Sequence, residues 1–398
     1  MEQDSSTQYV GCDVHKETIT IAVAAHGREP ARVVATIANR PEAVRTAMAQ
    51  LGDPTTLEVA YEAGPCGYTL QRQLTGLGIT CVVIAPSLMP KRPGDRVKTD
   101  RRDAIQLAEM LRGGYLTAIW VPDEPDEALR DLVRARHATR QDVTRIRHRI
   151  SGLLLRLGVR PAEGVNAWTV THRRWLNGLL LPQCAQQLVL REQLGALAET
   201  EARLERLEQA IATAIRASRH ADLAAAYQAL RGMDLVTAAT LVVELGDPRR
   251  FAQPQELMRY VGLTPSEASS GERRRQGGIT KAGNARARHV LVEAAQHARR
   301  PPRVSRALAN RQQGVDPVIV AMSGTAQRRW HRRYWHLVGR GKAPPVAVTA
   351  VAREMVGVLW AIGHEVARQQ QVRATPTPTA VALPGGRLPG LSAAAAAD

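Results

Sequence analysis

The chain has 398 residues, 44% of them hydrophobic, which is enough for two or three domains with real cores. Its formal net charge of +17, carried almost entirely by arginine, indicates a polyanionic partner such as nucleic acid. The four cysteines include no CxxC pair, which argues against a zinc site and a disulfide scaffold. No charge-free apolar stretch reaches eighteen residues, which argues against a membrane span. A reducing cytoplasm is therefore expected.

The first 121 residues predict a domain in which strands alternate with helices. The pattern predicts strands at 9–13, 18–24, 33–38, 57–61 and 79–84, helices at 41–51, 67–77 and 99–112, and a basic, proline-containing loop at 86–98. Strands interleaved with helices are typical of a mixed α/β sheet.

Four acidic residues of this domain can be read as one metal site. Asp13 lies in the apolar strand of GCDVHK, and Glu62 ends the strand in YEAGP. Asp100 and Asp103 of KTDRRDA are three residues apart at the start of a predicted helix, so they share a face. A single acid of this kind is usually solvated or caps a helix. The combination, with Asp13 inside an apolar run, predicts a bound divalent cation such as Mg²⁺ or Mn²⁺ and cleavage at phosphorus.

Two long helices are predicted for the middle region, 122–225. The first, from 126 to about 157, has an apolar stripe flanked by arginines. The second, 186–217, has Leu190, Leu197, Leu204 and Ile211 at every seventh position, as in a coiled-coil seam. An ordinary helical bundle explains both stripes as well as an oligomerising coiled coil does. The tryptophan-containing segment between the two helices has no assignable role.

A mainly helical domain is predicted for 226–370, with a disordered tail at 371–398. The segment LRGMDLVTAATLVVELGD resembles a helix-hairpin-helix, whose helix N-terminus can hold a DNA phosphate, with a plain helical hairpin as the alternative. A segment rich in serine, glycine and arginine follows, in which Ser269 and Ser270 precede Arg273, Arg274 and Arg275. A serine nucleophile attacking phosphate needs such cations, although a flexible phosphate-binding loop has the same composition.

Together, GCDVHK, YEAGP, KTDRRDA and YVGLTPSEASSGERRRQGGITKAGNARAR resemble the motifs of the "one-ten" family of insertion-sequence transposases and of the related Piv-type DNA invertases, over roughly residues 8–300. The resemblance implies an α/β ribonuclease-H/RuvC-like domain with a DEDD site at Asp13, Glu62, Asp100 and Asp103, and a helical serine domain. It places the catalytic serine on Ser270, with Ser269 as the second choice. It also implies recombination through a phosphoserine intermediate, guided in some members by a structured non-coding RNA.

Nucleic-acid contacts are expected next to both parts of this site. The candidates are Lys98, Arg101 and Arg102 beside the acids, and Arg273, Arg274, Arg275, Lys281 and Asn284 beside the serine. We expect DNA and a guide RNA as partners, and a homo-oligomer, dimer or tetramer, because recombination joins several strands.

Three functions compete at this stage. A transposase uses the acids and the serine, a RuvC-like junction resolvase uses the acids alone, and a non-catalytic DNA-binding protein needs neither. An actin-like ATPase or sugar kinase also begins with an aspartate-bearing strand, but it should carry a second glycine-rich phosphate loop and would not explain the net charge of +17.

Overall fold

The computed structural model describes residues 7–86, 89, 99–267 and 275–374. The chain divides into two compact units. The first comprises Met1–Ile211 with Arg259–Arg286, and the second comprises Ala212–Met258 with Ala287–Asp398.

A five-stranded mixed sheet forms the core of the first unit. Its strands are β1 (Gln8–Val14), β2 (Thr18–Ala24), β3 (Arg32–Ala38), β4 (Leu57–Glu62) and β5 (Thr80–Ile84), in the spatial order β3-β2-β1-β4-β5. The first three strands form an antiparallel meander, whereas β4 runs parallel to β1 and β5 runs parallel to β4. The predicted mixed α/β sheet is therefore confirmed, with strand bounds close to those expected.

Helices cover the sheet on both faces. α1 (Pro41–Leu51) and α2 (Thr69–Gly76) pack on one face, where Val44, Met48 and Leu74 join the buried strand residues. Cys12 also belongs to this core, and the partly buried Cys81 packs against it. The opposite face carries α3 (Asp100–Arg112), which packs through small residues. Because strand side chains alternate between faces, Cys12 points toward α1 and α2 while its neighbours in β1 point toward α3.

Gly11 allows α3 to lie directly on β1. A Cβ at this position would stand 2.1 Å from the carbonyl oxygen of Ala104 and 2.5 Å from the amide nitrogen of Ala108. The helix backbone therefore occupies the space that any side chain would need. Ala104 and Ala108 are fully buried in this contact, so the position of α3 is set by backbone packing rather than by interlocking side chains.

Three helices form a bundle in the first unit: α4 (Glu124–Arg156), α5 (Val170–Gly178) and α6 (Cys184–Ala217), of which α6 belongs to this unit up to Ile211. Glu201 of α6 links them, because it accepts hydrogen bonds from Arg147 of α4 at 2.7 Å and from Arg173 of α5 at 2.6 and 2.8 Å. The bond from Arg173 is the main reason why the pKa of Glu201 lies below its ordinary value.

The apolar stripe of α6 is used inside the chain. Leu190 and Leu197 are buried against α4 and α5, and Leu204 packs on the same cluster. The structure thus favours the bundle alternative for this part of the stripe. It also explains the tryptophan-containing segment, since Trp168 and Trp175 pack on this cluster beside Leu176.

The second unit is helical, as predicted. The helices of the C-terminal part of the chain are α7 (Ala221–Gln228), α8 (Leu235–Leu245), α9 (Pro254–Tyr260), α10 (Ala285–Ala295), α11 (Arg306–Gln312), α12 (Pro317–Gly339) and α13 (Pro344–Ala374). α13 is long and apolar enough to cross a membrane, but half of that stretch is buried against other helices, as in the central helix of a globular domain. It extends to Ala374, and the rest of the predicted tail lies outside the described residues.

We predict that Gly11→Ala displaces α3 and destabilises the first unit. The added Cβ must push the α3 backbone away, and overpacking of this kind costs about 1–3 kcal/mol. Thermal melting of the full-length protein should show a lower midpoint. Gly152→Ala is the control, because a Cβ there meets nothing within 4 Å and Gly152 lies inside α4. Equal melting temperatures for the two variants would contradict this account of the β1–α3 contact.

Candidate metal and nucleic-acid site

Asp13 and Glu62 lie side by side at the carboxyl ends of two parallel strands. Cys12 of β1 is in register with Tyr61 of β4, and the acids are the next residues of the two strands. Cys12 and Tyr61 both point into the core beneath α1 and α2. Alternation therefore turns Asp13 and Glu62 to the other face, on which α3 packs.

The first turn of α3 brings two further acids to the same face. Thr99 caps the helix by accepting a hydrogen bond from the amide of Arg102, and Asp100 and Asp103 occupy the first turn. Carboxylates are favourable at a helix N-terminus because the exposed amide groups there carry partial positive charge. Since Ala104 lies against Gly11, one turn back along α3 places Asp100 near Asp13.

The closest group of potential ligands consists of Asp13, Asp100 and His15. Their ligand atoms lie within 4.8 Å of one another. Nε2 of His15 is 3.2 Å from Oδ2 of Asp13 and 3.4 Å from Oδ1 of Asp100. The imidazole therefore bridges two carboxylates that would otherwise face each other. Asp13 is the most enclosed of the three, with 19% of its side chain exposed.

The electrostatics of Asp13 fit a cation-binding position. Partial burial raises the pKa of Asp13, the neighbouring carboxylates of Asp100 and Asp103 raise it further, and His15 lowers it. Each of the first two effects disfavours the charged carboxylate, and a bound divalent cation would reverse both. The carboxylate oxygens suit Mg²⁺ and Mn²⁺, and the imidazole nitrogen of His15 is a donor that a transition metal takes more readily than Mg²⁺ does.

His15 was missed as a site residue by the sequence analysis, although it stands in the quoted motif GCDVHK. A signal was present: residues two apart on a strand share a face, so a residue at 15 continues the side of β1 on which Asp13 lies. Asn39 helps to hold this turn, because its side-chain amide donates a hydrogen bond of 2.7 Å to the His15 carbonyl.

The other predicted acids are nearby but outside this tight group. Asp103 is close enough to raise the pKa of Asp13, and Glu62 ends the adjacent strand. Of the predicted basic contacts beside the acids, Arg101 and Arg102 are exposed on the first turn of α3, and Lys98 lies outside the described residues.

The predicted serine segment is only partly described. Ser269, Ser270, Arg273 and Arg274 lie outside the described residues. The segment is flanked by a two-stranded hairpin, β6 (Pro265–Glu267) and β7 (Gln276–Ile279), in which Glu267 pairs with Gln276. Arg275 and Lys281 are exposed on the β7 side of the hairpin, and Asn284 is half-buried.

Close backbone packing fixes the end of this hairpin. The amide of Asn284 donates to the Tyr260 carbonyl at 2.9 Å, and a Cβ on Gly283 would stand 2.0 Å from that same oxygen. Gly283 also has a φ of +69°, which favours glycine. Lys281 has a φ of +55°, a conformation that is rare outside glycine and often marks a functional turn.

The helix-hairpin-helix segment, residues 230–247, contains the helix α8, and α7 ends just before it at Gln228. The N-terminus of α8 is capped by Asp234, whose carboxylate accepts a hydrogen bond of 2.8 Å from the amide of Thr237. A phosphate at this helix end would meet that carboxylate. The arrangement therefore supports the plain helical hairpin among the two alternatives.

Two family models match the chain. Residues 10–158 match a DEDD transposase model of the IS110 type, and residues 224–309 match the model described as "Transposase IS116/IS110/IS902 family". The first match covers the sheet, α3 and α4, and therefore all four predicted acids. The second match ends before α12 begins.

Full-length relatives agree with these matches. The chain is 42% identical over 368 residues to protein y4qE of Sinorhizobium fredii, covering 92% of this chain and 90% of the relative. It is 29% identical over 341 residues to the transposase for insertion sequence element IS1533 of Leptospira borgpetersenii, covering 84% and 97%. These relatives and the acidic sheet edge define a transposase-type protein. The chain belongs to the IS116/IS110/IS902 family of transposases, which confirms the resemblance seen in its motifs.

We predict that Asp13→Asn and Asp100→Asn each weaken Mn²⁺ binding at least tenfold, because each removes a charged oxygen donor. The measurement is the free Mn²⁺ signal in electron paramagnetic resonance during titration of protein freed of nucleic acid. Asp131→Asn serves as the control, because Asp131 is an exposed acid on α4. Wild-type affinity in both Asp13→Asn and Asp100→Asn would refute the metal site.

Proposed function

We propose that the protein cuts and rejoins DNA for transposition of an insertion sequence, with an acidic metal site and a serine nucleophile. The observation that supports it most is the grouping of Asp13 and Asp100 within 4.8 Å at the edge of the sheet, in a chain with a net charge of +17 that belongs to a transposase family. An acidic pocket in such a basic protein is more easily explained by a metal-assisted reaction on a polyanion than by stability.

The four acids are assigned to metal binding in this proposal. Asp13, Glu62, Asp100 and Asp103 would hold Mg²⁺ or Mn²⁺, whose positive charge stabilises the phosphate oxygens of bound DNA. The rigid β1–α3 contact at Gly11 keeps the acids of β1 and α3 at a fixed separation. Lys98, Arg101 and Arg102 are assigned to the DNA backbone next to the acids, because arginine pairs with phosphate in a forked geometry.

Ser270 is the proposed nucleophile, with Ser269 as the alternative. Its hydroxyl oxygen would form a bond to phosphorus while the bond from phosphorus to one DNA oxygen breaks and that oxygen takes up a proton. The product is a serine phosphodiester that joins protein to DNA and keeps the bond energy for rejoining. Arg273, Arg274, Arg275, Lys281 and Asn284 are assigned to stabilising the charge on this phosphate.

A covalent trapping experiment tests the serine. A suicide DNA substrate, whose cleaved strand cannot be rejoined, should leave protein covalently joined to a DNA end and stable to denaturation. We predict that Ser270→Ala abolishes this species and that Asp103→Asn lowers it at least a hundredfold, while Asp131→Asn leaves it unchanged.

The result distinguishes the competing functions. Loss of trapping in Ser269→Ala but not in Ser270→Ala would assign the nucleophile to the neighbouring serine. Metal-dependent cleavage that persists in both serine variants without any covalent species would favour a RuvC-like resolvase. Absence of cleavage in the wild type together with tight DNA binding would favour a DNA-binding protein.

We also propose that a bound structured RNA selects the DNA. Arginines such as Arg140, Arg145 and Arg149 are exposed along α4, and contacts of this kind hold nucleic-acid backbone without reading sequence. The only metal-ligand group within the described residues contains no cysteine, so a zinc finger does not supply the reading there. Base pairing with an RNA can supply it.

The RNA proposal has its own test. Protein co-expressed with the non-coding DNA that flanks its gene should purify with a discrete RNA, and changing the pairing segments of that RNA should redirect recombination without any change in protein. Full recombination by RNA-free protein at its natural sites would refute the RNA proposal.

The working form is proposed to be a cytoplasmic homo-oligomer, dimer or tetramer. Its interface must lie elsewhere than Leu190 and Leu197, which are buried within the chain.

A further inference from the structure

An almost acid-free stretch of the second unit carries an unusual density of positive charge. Between Glu293 and Glu354, Asp316 is the only acidic residue, whereas twelve residues are arginine or lysine. All of α12 lies within this stretch, and α12 begins after residue 309, where the family match ends. The positive charge is therefore concentrated on a segment that contains none of the predicted acids and neither of the two predicted serines.

The helix α12 sorts its residues into a buried side and a basic side. Ile319, Ser323, Ala326, Trp330 and Tyr334 face the interior. Arg328, Arg332 and His336 recur at every fourth position and are exposed, so they form one row on the outside. Like charges four residues apart weaken a helix, so the pair Arg328 and Arg332 is a cost to α12 unless an anion binds along it.

The arginines of this row differ in their pairing from the neighbouring arginines of α12. Arg329 and Arg333 contact the carboxylate of Glu354 on α13, at 3.0 and 3.2 Å. Arg332 has no acidic partner among the residues that the structure describes, and Arg328 bonds only to the Thr325 hydroxyl at 3.3 Å. Arg328 and Arg332 are thus available to an external anion.

Trp335 stands beside this row, and its exposed ring is held in place. Half of the residue is exposed (51%), yet its indole N–H donates a hydrogen bond of 3.1 Å to the Arg299 carbonyl. The rings of Tyr334 and His331 contact it edge-on, with centroids 5.3 and 6.4 Å away. Because its only polar atom is satisfied, the exposed part of Trp335 is an apolar, immobile aromatic surface.

Arg299 adds a further cation next to this tryptophan. Its guanidinium carbon lies 5.9 Å from the centroid of the Tyr334 ring, and the residue is exposed. An immobilised aromatic ring surrounded by arginines matches what single-stranded nucleic acid requires, namely a stacking surface for a base and cations for the phosphates on either side. A base-paired duplex presents phosphates but keeps its bases stacked inside, so it could use the arginines without the ring.

We propose that the basic face of α12, defined by Arg299, Arg328, Arg332, Trp335 and His336, binds single-stranded nucleic acid. Arg328 and Arg332 hold successive phosphates, and Trp335 stacks on one unpaired base. The strand can come from DNA or from RNA, since both offer phosphates and exposed bases. This surface is independent of the acidic site and of the serine, so its test needs neither metal nor cleavage.

The test is equilibrium binding of full-length protein, in chelator, to fluorescein-labelled 20-nucleotide single strands of DNA and RNA and to a DNA duplex of the same sequence. Arg328→Gln/Arg332→Gln should weaken single-strand binding and lower the slope of log affinity against log salt by about 1.4, since each phosphate contact to a single strand contributes about 0.7. Trp335→Leu should weaken single-strand binding about tenfold with an unchanged salt slope, and duplex binding much less. Trp335→Phe should restore most of the loss, because it keeps an aromatic ring.

Arg249→Gln/Arg368→Gln is the matched control. It removes the same charge from the second unit, but at arginines that are paired with Asp247 and Glu365, each at 2.6 Å. Equal losses in the control and in Arg328→Gln/Arg332→Gln would refute a localised surface. Two results with a folded Trp335→Leu protein would refute base stacking. One is single-strand affinity equal to that of the wild type, and the other is an equal loss of affinity for duplex and for single strands. A loss confined to DNA or to RNA would support the proposal and identify the strand.

Discussion

The contact between α3 and β1 at Gly11 is the constraint on which the acidic site depends. Asp13 lies on β1 and Asp100 on the first turn of α3, so the packing of this helix on this strand sets their separation. At Gly11 the helix backbone replaces a side chain, which leaves little freedom for α3 to slide or lift. The first turn of α3 is therefore fixed relative to the end of β1, and Asp100 reaches Asp13 without any link between the two side chains other than His15.

His15 reconciles two demands on this edge of the sheet. Carboxylates that are to bind a cation must stand close together, and without the cation they repel each other. His15 lies within 3.4 Å of both Asp13 and Asp100 and lowers the pKa of Asp13, so it offsets part of the repulsion between the two acids. Its own side chain is half exposed, so its ring nitrogen is also accessible to a cation held by the two carboxylates. His15 thereby adds to the backbone packing at Gly11 in holding the two acids close together.

Much of the first unit could be predicted from the sequence because its signals are local. Apolar strands, the turn before Thr18 and the capped first turn of α3 each follow from a few neighbouring residues. Nothing local indicates that the backbone of α3 would pack on Gly11, since that depends on residues about ninety positions apart. For His15 the shared face with Asp13 was a local signal, but its contact with Asp100 depends on a helix far along the chain. The heptad leucines of α6 show the converse, since periodicity predicts a buried stripe but not whether its partner belongs to the same chain.

The distribution of charge follows from the same physics. A protein that handles a polyanion and also needs a carboxylate cluster must keep the cluster from repelling its substrate. Here the cluster is small and lies at the carboxyl end of β1, next to the exposed Arg101 and Arg102 of α3, and a bound cation would further lessen its repulsion of phosphate. The α12 face lies in a different compact unit, where an almost acid-free stretch can attract nucleic acid without such a cation. In this proposal the α12 face attracts nucleic acid over long distances, and the acidic cluster acts on phosphate at close range. Ionic strength should therefore weaken binding at the α12 face far more than it affects the acidic cluster.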